Sequence, residues 1–187
     1  MPKVAKMTEE RDHAKDNAGA WASSLSQMVA ALECDYYRLQ ELREEQQSLA
    51  DEIESALPGD KDTARRHLLA WDADHGAELR ELTESATIEG DLMADAESAR
   101  ERIQESPLSV QVRSGWASVG DALNAEEFEI LLSTGGPALR IRGELDEHRE
   151  PSRAWIEYQD WGTGWTQYFD VEQSTLLTYC SVFYFGE

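Results

Sequence analysis

Glu33, Glu41, Glu44, Glu45, Asp51 and Glu52, followed by Asp72, Asp74, Glu78 and Glu81, recur at helical intervals and make the strongest functional signal in the sequence, an electrostatic one. Between residues 33 and 56 eight acidic side chains stand against Arg38 and Arg43. On a helix rising about 1.5 Å per residue, this is roughly one carboxylate per 4.5 Å. Duplex DNA carries one charge per about 1.7 Å, so a single helix falls short. Adding Asp72, Asp74, Glu78, Glu81 and Glu84 from an antiparallel neighbour brings the pair within range. Such a face could take the place of nucleic acid on a basic surface, or it could be the solvated side of a coiled coil that keeps the chain soluble.

Other chemistries lack their residues. The sequence contains no GxSxG, no Walker-type phosphate loop, no GxGxxG, no HExxH and no CxxC. His13, His67, His75 and His148 are too scattered to group into a metal site. Gly135-Gly136-Pro137 joins two alternating segments and opens no helix, so it reads as a hairpin turn and not as a phosphate cradle. Glu129, Glu144 and Glu157 alternate with apolar residues and mark the solvent face of strands. Carboxylates are too numerous for any one pair to single out acid–base chemistry. No catalytic residue, metal or cofactor is expected. A secondary surface comes from Trp155, Tyr158, Trp161, Trp165, Tyr168 and Phe169, a density above what a small sheet needs. Core packing is the first reading of these rings, and a partner-binding patch of Trp161, Trp165 and Tyr168 is the second.

The whole chain points the same way as the acidic run. In 187 residues, 38 Asp and Glu stand against 17 Lys and Arg, a formal charge of −21. That balance argues against direct binding to nucleic acid or anionic lipid, both of which need cationic surface. The expected partner is basic. No apolar run approaches membrane-spanning length, and the N-terminus has no apolar stretch behind its basic start. Cys34 and Cys180 read as two buried thiols, the first in a long acidic helix and the second in an apolar one, in a reducing cytoplasm.

Hydrophobic period assigns these residues to helices and strands. Residues 1–16 form a polar leader. From Asn17, Trp21, Leu25, Met28, Leu32, Leu39, Leu42, Leu49 and Ile53 recur at steps of three and four, broken only at Asp35 and Gln46, which predicts one coiled-coil-like helix. Pro58-Gly59-Asp60 ends it. A second stripe through Ala64, Leu68, Trp71, His75, Leu79 and Leu82 returns antiparallel, making a helical hairpin. A shorter polar helix, about 93–105, connects it to the C-terminal half, so that 17–106 and 107–187 are the two modules. Beyond Pro107 the period changes to two. Residues 108–116, 127–134, 138–145 and 152–161 read as antiparallel strands, with a short aromatic stretch at 165–169. Asp170 and Gln173 resemble a capping box for a final helix from Val171 that carries Leu176, Leu177, Cys180 and Phe183. The predicted class is α+β: a helical hairpin, then an antiparallel sheet with a C-terminal helix.

Glu127-Phe128-Glu129-Ile130-Leu131-Leu132-Ser133-Thr134-Gly135-Gly136-Pro137, Tyr158-Gln159-Asp160-Trp161-Gly162-Thr163 and the closing Phe183-Tyr184-Phe185-Gly186-Glu187 resemble a group of bacteriophage and mobile-element proteins of unassigned role. The resemblance extends forward through residues 21–42. It implies a bacterial host cytoplasm and a setting in which small acidic proteins act as counter-defence factors, anti-CRISPR or anti-restriction proteins that occupy the DNA-binding surface of a nuclease complex. It carries no catalytic residue. The expected function is a non-enzymatic inhibitor, monomeric or homodimeric, whose acidic face competes with target DNA for the Lys/Arg-lined channel of a complex such as a CRISPR effector. The alternative is an adaptor that dimerises through its helices, and an enzyme is the third and least favoured reading.

Overall fold

The computed structural model describes residues 12–186; most of the polar leader, residues 1–11, lies outside them. In chain order the elements are α1 (His13–Glu33), α2 (Tyr36–Ser55), α3 (Lys61–Ser85), β1 (Thr87–Ile88), β2 (Asp91–Leu92), α4 (Ala96–Glu105), β3 (Ser109–Ser114), β4 (Ala125–Ser133), β5 (Ala138–Leu145), β6 (Pro151–Gln159), β7 (Thr166–Tyr168) and α5 (Gln173–Cys180). The class is α+β, as the change of period at Pro107 predicts. No helix among the described residues is long and apolar enough to cross a membrane. Two compact units emerge. One joins the first part of α1, up to Ser23, to residues 106–186, and the other is Ser24–Glu105.

In the helical unit, α2 and α3 pack as the expected hairpin. Leu25, Met28, Val29, Ala31, Leu39, Leu42, Ala64, Ala86, Ile88, Ala99 and Ile103 are buried. The single long helix predicted from Asn17 is instead two. Asp35 has left helical geometry, at φ −78° and ψ 81°, and its carboxylate accepts a bond from the Arg38 backbone N–H at 2.9 Å. A short acceptor that satisfies one of the free N–H groups of a new first turn favours a restart over continuation. Cys34 therefore sits in the break and not within a helix, and it is only half-buried. Leu32, just before the break, is half-buried as well. After α3, Glu89 and Gly90 both take positive φ, 51° and 95°, and close the two-residue hairpin β1–β2. That hairpin is too short to show as a period-two pattern.

In the sheet unit, β3-β4-β5-β6-β7 form a five-stranded antiparallel meander in sequence order. Phe128, Ile130, Leu139, Ile141, Ala154 and Ile156 occupy one face and are buried, and α5 lies along β6. Gly143, paired with both Phe128 and Ala154, leaves the space that the Phe128 ring fills, and this ring meets Phe185 at a centroid distance of 4.6 Å. Gly135, at φ 109°, makes the β4–β5 turn. The aromatic stretch at 165–169 is in part a strand, β7. The final helix starts later than the capping box implied: Glu172 occupies the N-cap position without a side-chain bond, and Asp170 and Gln173 do not cap. Phe183 lies beyond its end. Tyr179 is fully buried, and its hydroxyl shares a 2.8 Å hydrogen bond with Ser106.

Candidate protein-binding face on the helical hairpin

Within the Ser24–Glu105 unit the acidic residues are not spread evenly. At about 100° per residue, Glu41, Glu45 and Glu52 fall within about 40° of one another on α2, with Glu44 and Asp51 flanking them. On α3, Asp74, Glu78 and Glu81 fall within about 60°. Three cross-helix contacts set these two arcs on the same side of the hairpin. The Trp71 indole N–H donates to Glu45 at 2.8 Å. The His67 Nδ1 lies 3.5 Å from Glu52, and Arg38 forks onto Glu78 with bonds of 2.8 and 2.9 Å. Arg38 also bonds Glu41 at 2.6 Å. Its guanidinium holds Glu78 below the ordinary carboxylate range and places a cation near the Glu41 end of the face. Gln40 and Gln47 donate to Glu44 and Asp51, so these carboxylates are oriented by neutral donors and keep their charge uncompensated.

Two of the expected residues lie elsewhere. Asp72 projects about 150° round α3 from the acidic arc and folds back against Gly76. Glu33 ends α1 on the far side of the break at Asp35. The face that remains runs over about 26 Å and carries roughly one net charge per 4 Å, about half the density of a duplex. It is also not purely charged. Glu44, Glu45, Ser48, Leu49 and Trp71 line an open depression of about 480 Å³, an apolar floor with a carboxylate rim that suits the stem and head of an Arg or Lys side chain. Sequence reasoning placed Trp71 only in the hairpin seam. The signal for its second role was available, since a Trp on the flank of the seam can reach an acidic residue of the facing helix.

The three aromatic residues do not form one patch. Trp165 stacks over the Arg140 guanidinium at 3.9 Å, on the sheet face opposite the core. Tyr168 is paired with Ile156 and belongs to the core side, where its hydroxyl lies against Gly19. Trp161, 75% exposed, rests on Gly136 so closely that a Cβ would not fit between them. Tyr168 is half-buried on the core side, Trp165 is half-buried on the opposite face, and Trp161 is exposed in the turn, so core packing describes Tyr168 only.

What sequence reasoning missed in the sheet is a ladder of cations on its outer face. Arg140 bonds Glu129 and Glu157, both at 2.8 Å, and Arg113 and Arg142 converge on Glu127 at 2.6 Å. Glu144 pairs with Arg153 at 3.6 Å. Glu129, Glu144 and Glu157 are on the solvent side as expected, yet each is matched by a cation. Arg140-Ile141-Arg142 opposite Glu127-Phe128-Glu129 was the legible sign of it. Two guanidinium groups, Arg113 before Arg142, hold Glu127 below its ordinary value. A carboxylate with a lowered folded-state pKa contributes stability that is present at neutral pH and lost as pH falls through that value. Glu127→Gln should therefore flatten the acid limb of the sheet unit's stability below about pH 4.5, a change that near-ultraviolet circular dichroism against pH would record.

No family model matches the chain, and neither a curated protein nor a solved structure matches it. Its chemistry is read from its own groups. Burial pushes the Cys180 thiol and the Tyr179 hydroxyl far up, and burial together with the Asp35 charge raises Cys34, which keeps both thiols protonated and poorly nucleophilic. Among the described residues no three His, Cys, Asp or Glu side chains gather as a metal site.

Proposed function

We propose that this protein is a phage-type inhibitor that acts by occupancy, laying the acidic face of α2 and α3 in the basic nucleic-acid channel of a host defence complex, with a CRISPR effector as the partner the sequence resemblance favours. The observation that carries this reading is the sorting of charge. Of the 38 acidic residues 21 fall in Ser24–Glu105, with only eight of the 17 Lys and Arg. In the same chain the carboxylates of the sheet face are paired off by Arg113, Arg140, Arg142 and Arg153. An even scatter of acid would have favoured an adaptor. The modest charge density and the Trp71 depression support a protein surface that matches cationic side chains individually and does not copy a duplex phosphate by phosphate.

The test is competition on a purified effector complex with labelled target DNA. Protein added first should exclude DNA, DNA added first should protect the complex, and the protein's affinity should fall steeply as salt rises. The protein itself should not bind the DNA. A ternary complex of effector, DNA and protein, with salt-insensitive affinity, would refute occupancy and return the chain to an adaptor role.

A further inference from the structure

We infer that β3 is a self-association edge, through which two copies of this chain join their sheets into one. β3 is an outer strand of the meander, and an outer strand offers a row of unpaired backbone groups that folded proteins ordinarily protect with Lys, Pro, charge on the inner face or short length. The opposite edge is protected by shortness, since β7 has three residues. β3 has six, Ser109-Val110-Gln111-Val112-Arg113-Ser114, with no Lys and no Pro; its one charge, Arg113, is tied to Glu127 of the neighbouring strand, and its bulge comes only at the last step, leaving five residues in regular register. Val110 and Val112 face the core side, opposite Ile130 and Phe128, yet they are 38% and 51% exposed. The adjoining β3–β4 loop adds Trp116, Val119 and Leu123, all exposed. A patch of this kind at an open strand edge marks an interaction site.

The occupant follows from the register. Regular pairing of β3 ends at a bulge between Arg113 and Ser114, so its regular stretch is Ser109–Arg113, with Gln111 at the midpoint. An antiparallel two-fold through Gln111 sets Val110 of each copy against Val112 of the other on the apolar side. On the other side it sets Gln111 against itself and Ser109 against Arg113. Every pair is then of matching character and no like charges meet. Two copies of a −21 chain repel at a distance, so added salt should tighten this association. That is the opposite sign from the salt dependence proposed for the acidic face, which makes the two separable.

Sedimentation of the full chain across concentration and salt should show a monomer–dimer equilibrium that shifts toward dimer as salt rises. Val112→Lys, which puts a cation against the facing Val110, should weaken the dimer by roughly tenfold or more. Gln111→Cys should cross-link to its own copy under diamide, because antiparallel partners lie within disulfide reach. Ser109→Cys, whose own copy is several residues away along the strand, should not. A chain that stays monomeric at every concentration and salt overturns the inference. So does a dimer that survives Val112→Lys without cross-linking at Gln111→Cys, as joining through the helices would predict. Circular dichroism of each variant confirms that the fold is intact, and the cysteine pair decides the outcome even if Val112→Lys does not fold.

Discussion

Changing Glu41, Glu44, Glu45 and Glu52 together to lysine should weaken binding to a basic partner on the order of a hundredfold or more while leaving the fold in place. All four side chains are exposed and lie on one side of α2, so four attractive charges become four repulsive ones on a surface that must approach Lys and Arg. Single reversals should give graded losses, with Glu45→Lys the largest because it also releases the Trp71 indole N–H. Trp71→Ala should separate the two components of the face. If affinity depends on charge alone, it changes little; if the depression seats a cationic side chain, affinity falls with only a small change in salt slope. Titration calorimetry over several salt concentrations measures both quantities. One substitution that removes activity while binding stays intact would argue instead for chemistry at that residue.

The second large effect is on stability. Leu42 is fully buried in the helical unit, and Leu42→Asp both removes its apolar surface and leaves a carboxylate without a partner, at a cost of about 3–5 kcal/mol. Leu57→Asp, in the α2–α3 turn and 71% exposed, should stay within about 0.5 kcal/mol. Thermal melting followed at 222 nm compares the two. Leu32→Asp should fall between them, because Leu32 is half-buried at the end of α1. Equal melting of the Leu42 and Leu57 variants would mean that the seam is not where the stripe puts it.

Where burial has a period, the sequence was a sound guide. Leu39 and Leu42 on α2, and Phe128, Ile130, Ile141 and Ile156 in the strands, repeat at the spacing of their element and are the residues that vanish from solvent. The class and the α2–α3 hairpin follow from that signal, and the turns between the strands add their antiparallel pairing. The misses lie at helix starts, which periodicity does not mark. Asp35 keeps the stripe in phase across the break, so the apolar pattern alone could not reveal that its carboxylate caps a new helix. Glu172 takes the N-cap of α5 without a side-chain bond, and a capping motif two residues earlier pulled the reading off register. The acidic arc was legible from spacing on α2, while the departure of Asp72 and Glu33 depended on where the helices end and how they cross. Trp161, Trp165 and Tyr168 are close in sequence, but the β6–β7 turn and the strand pleat send them in three directions.

The division of the chain sets an order of events during synthesis. Ser24–Glu105 is continuous, so every part of the helical unit has been made before the first strand of the large sheet begins. The sheet unit draws on both sides of that insertion, and the buried Ala14, Ala18 and Ala22 of α1 leave the ribosome long before α5 and the strands that share their unit. They must wait, with their apolar side uncovered, while the acidic hairpin folds ahead of them. The hairpin is thus the part of the molecule that matures first, and a nascent chain can carry its charged face complete while its sheet is still being made.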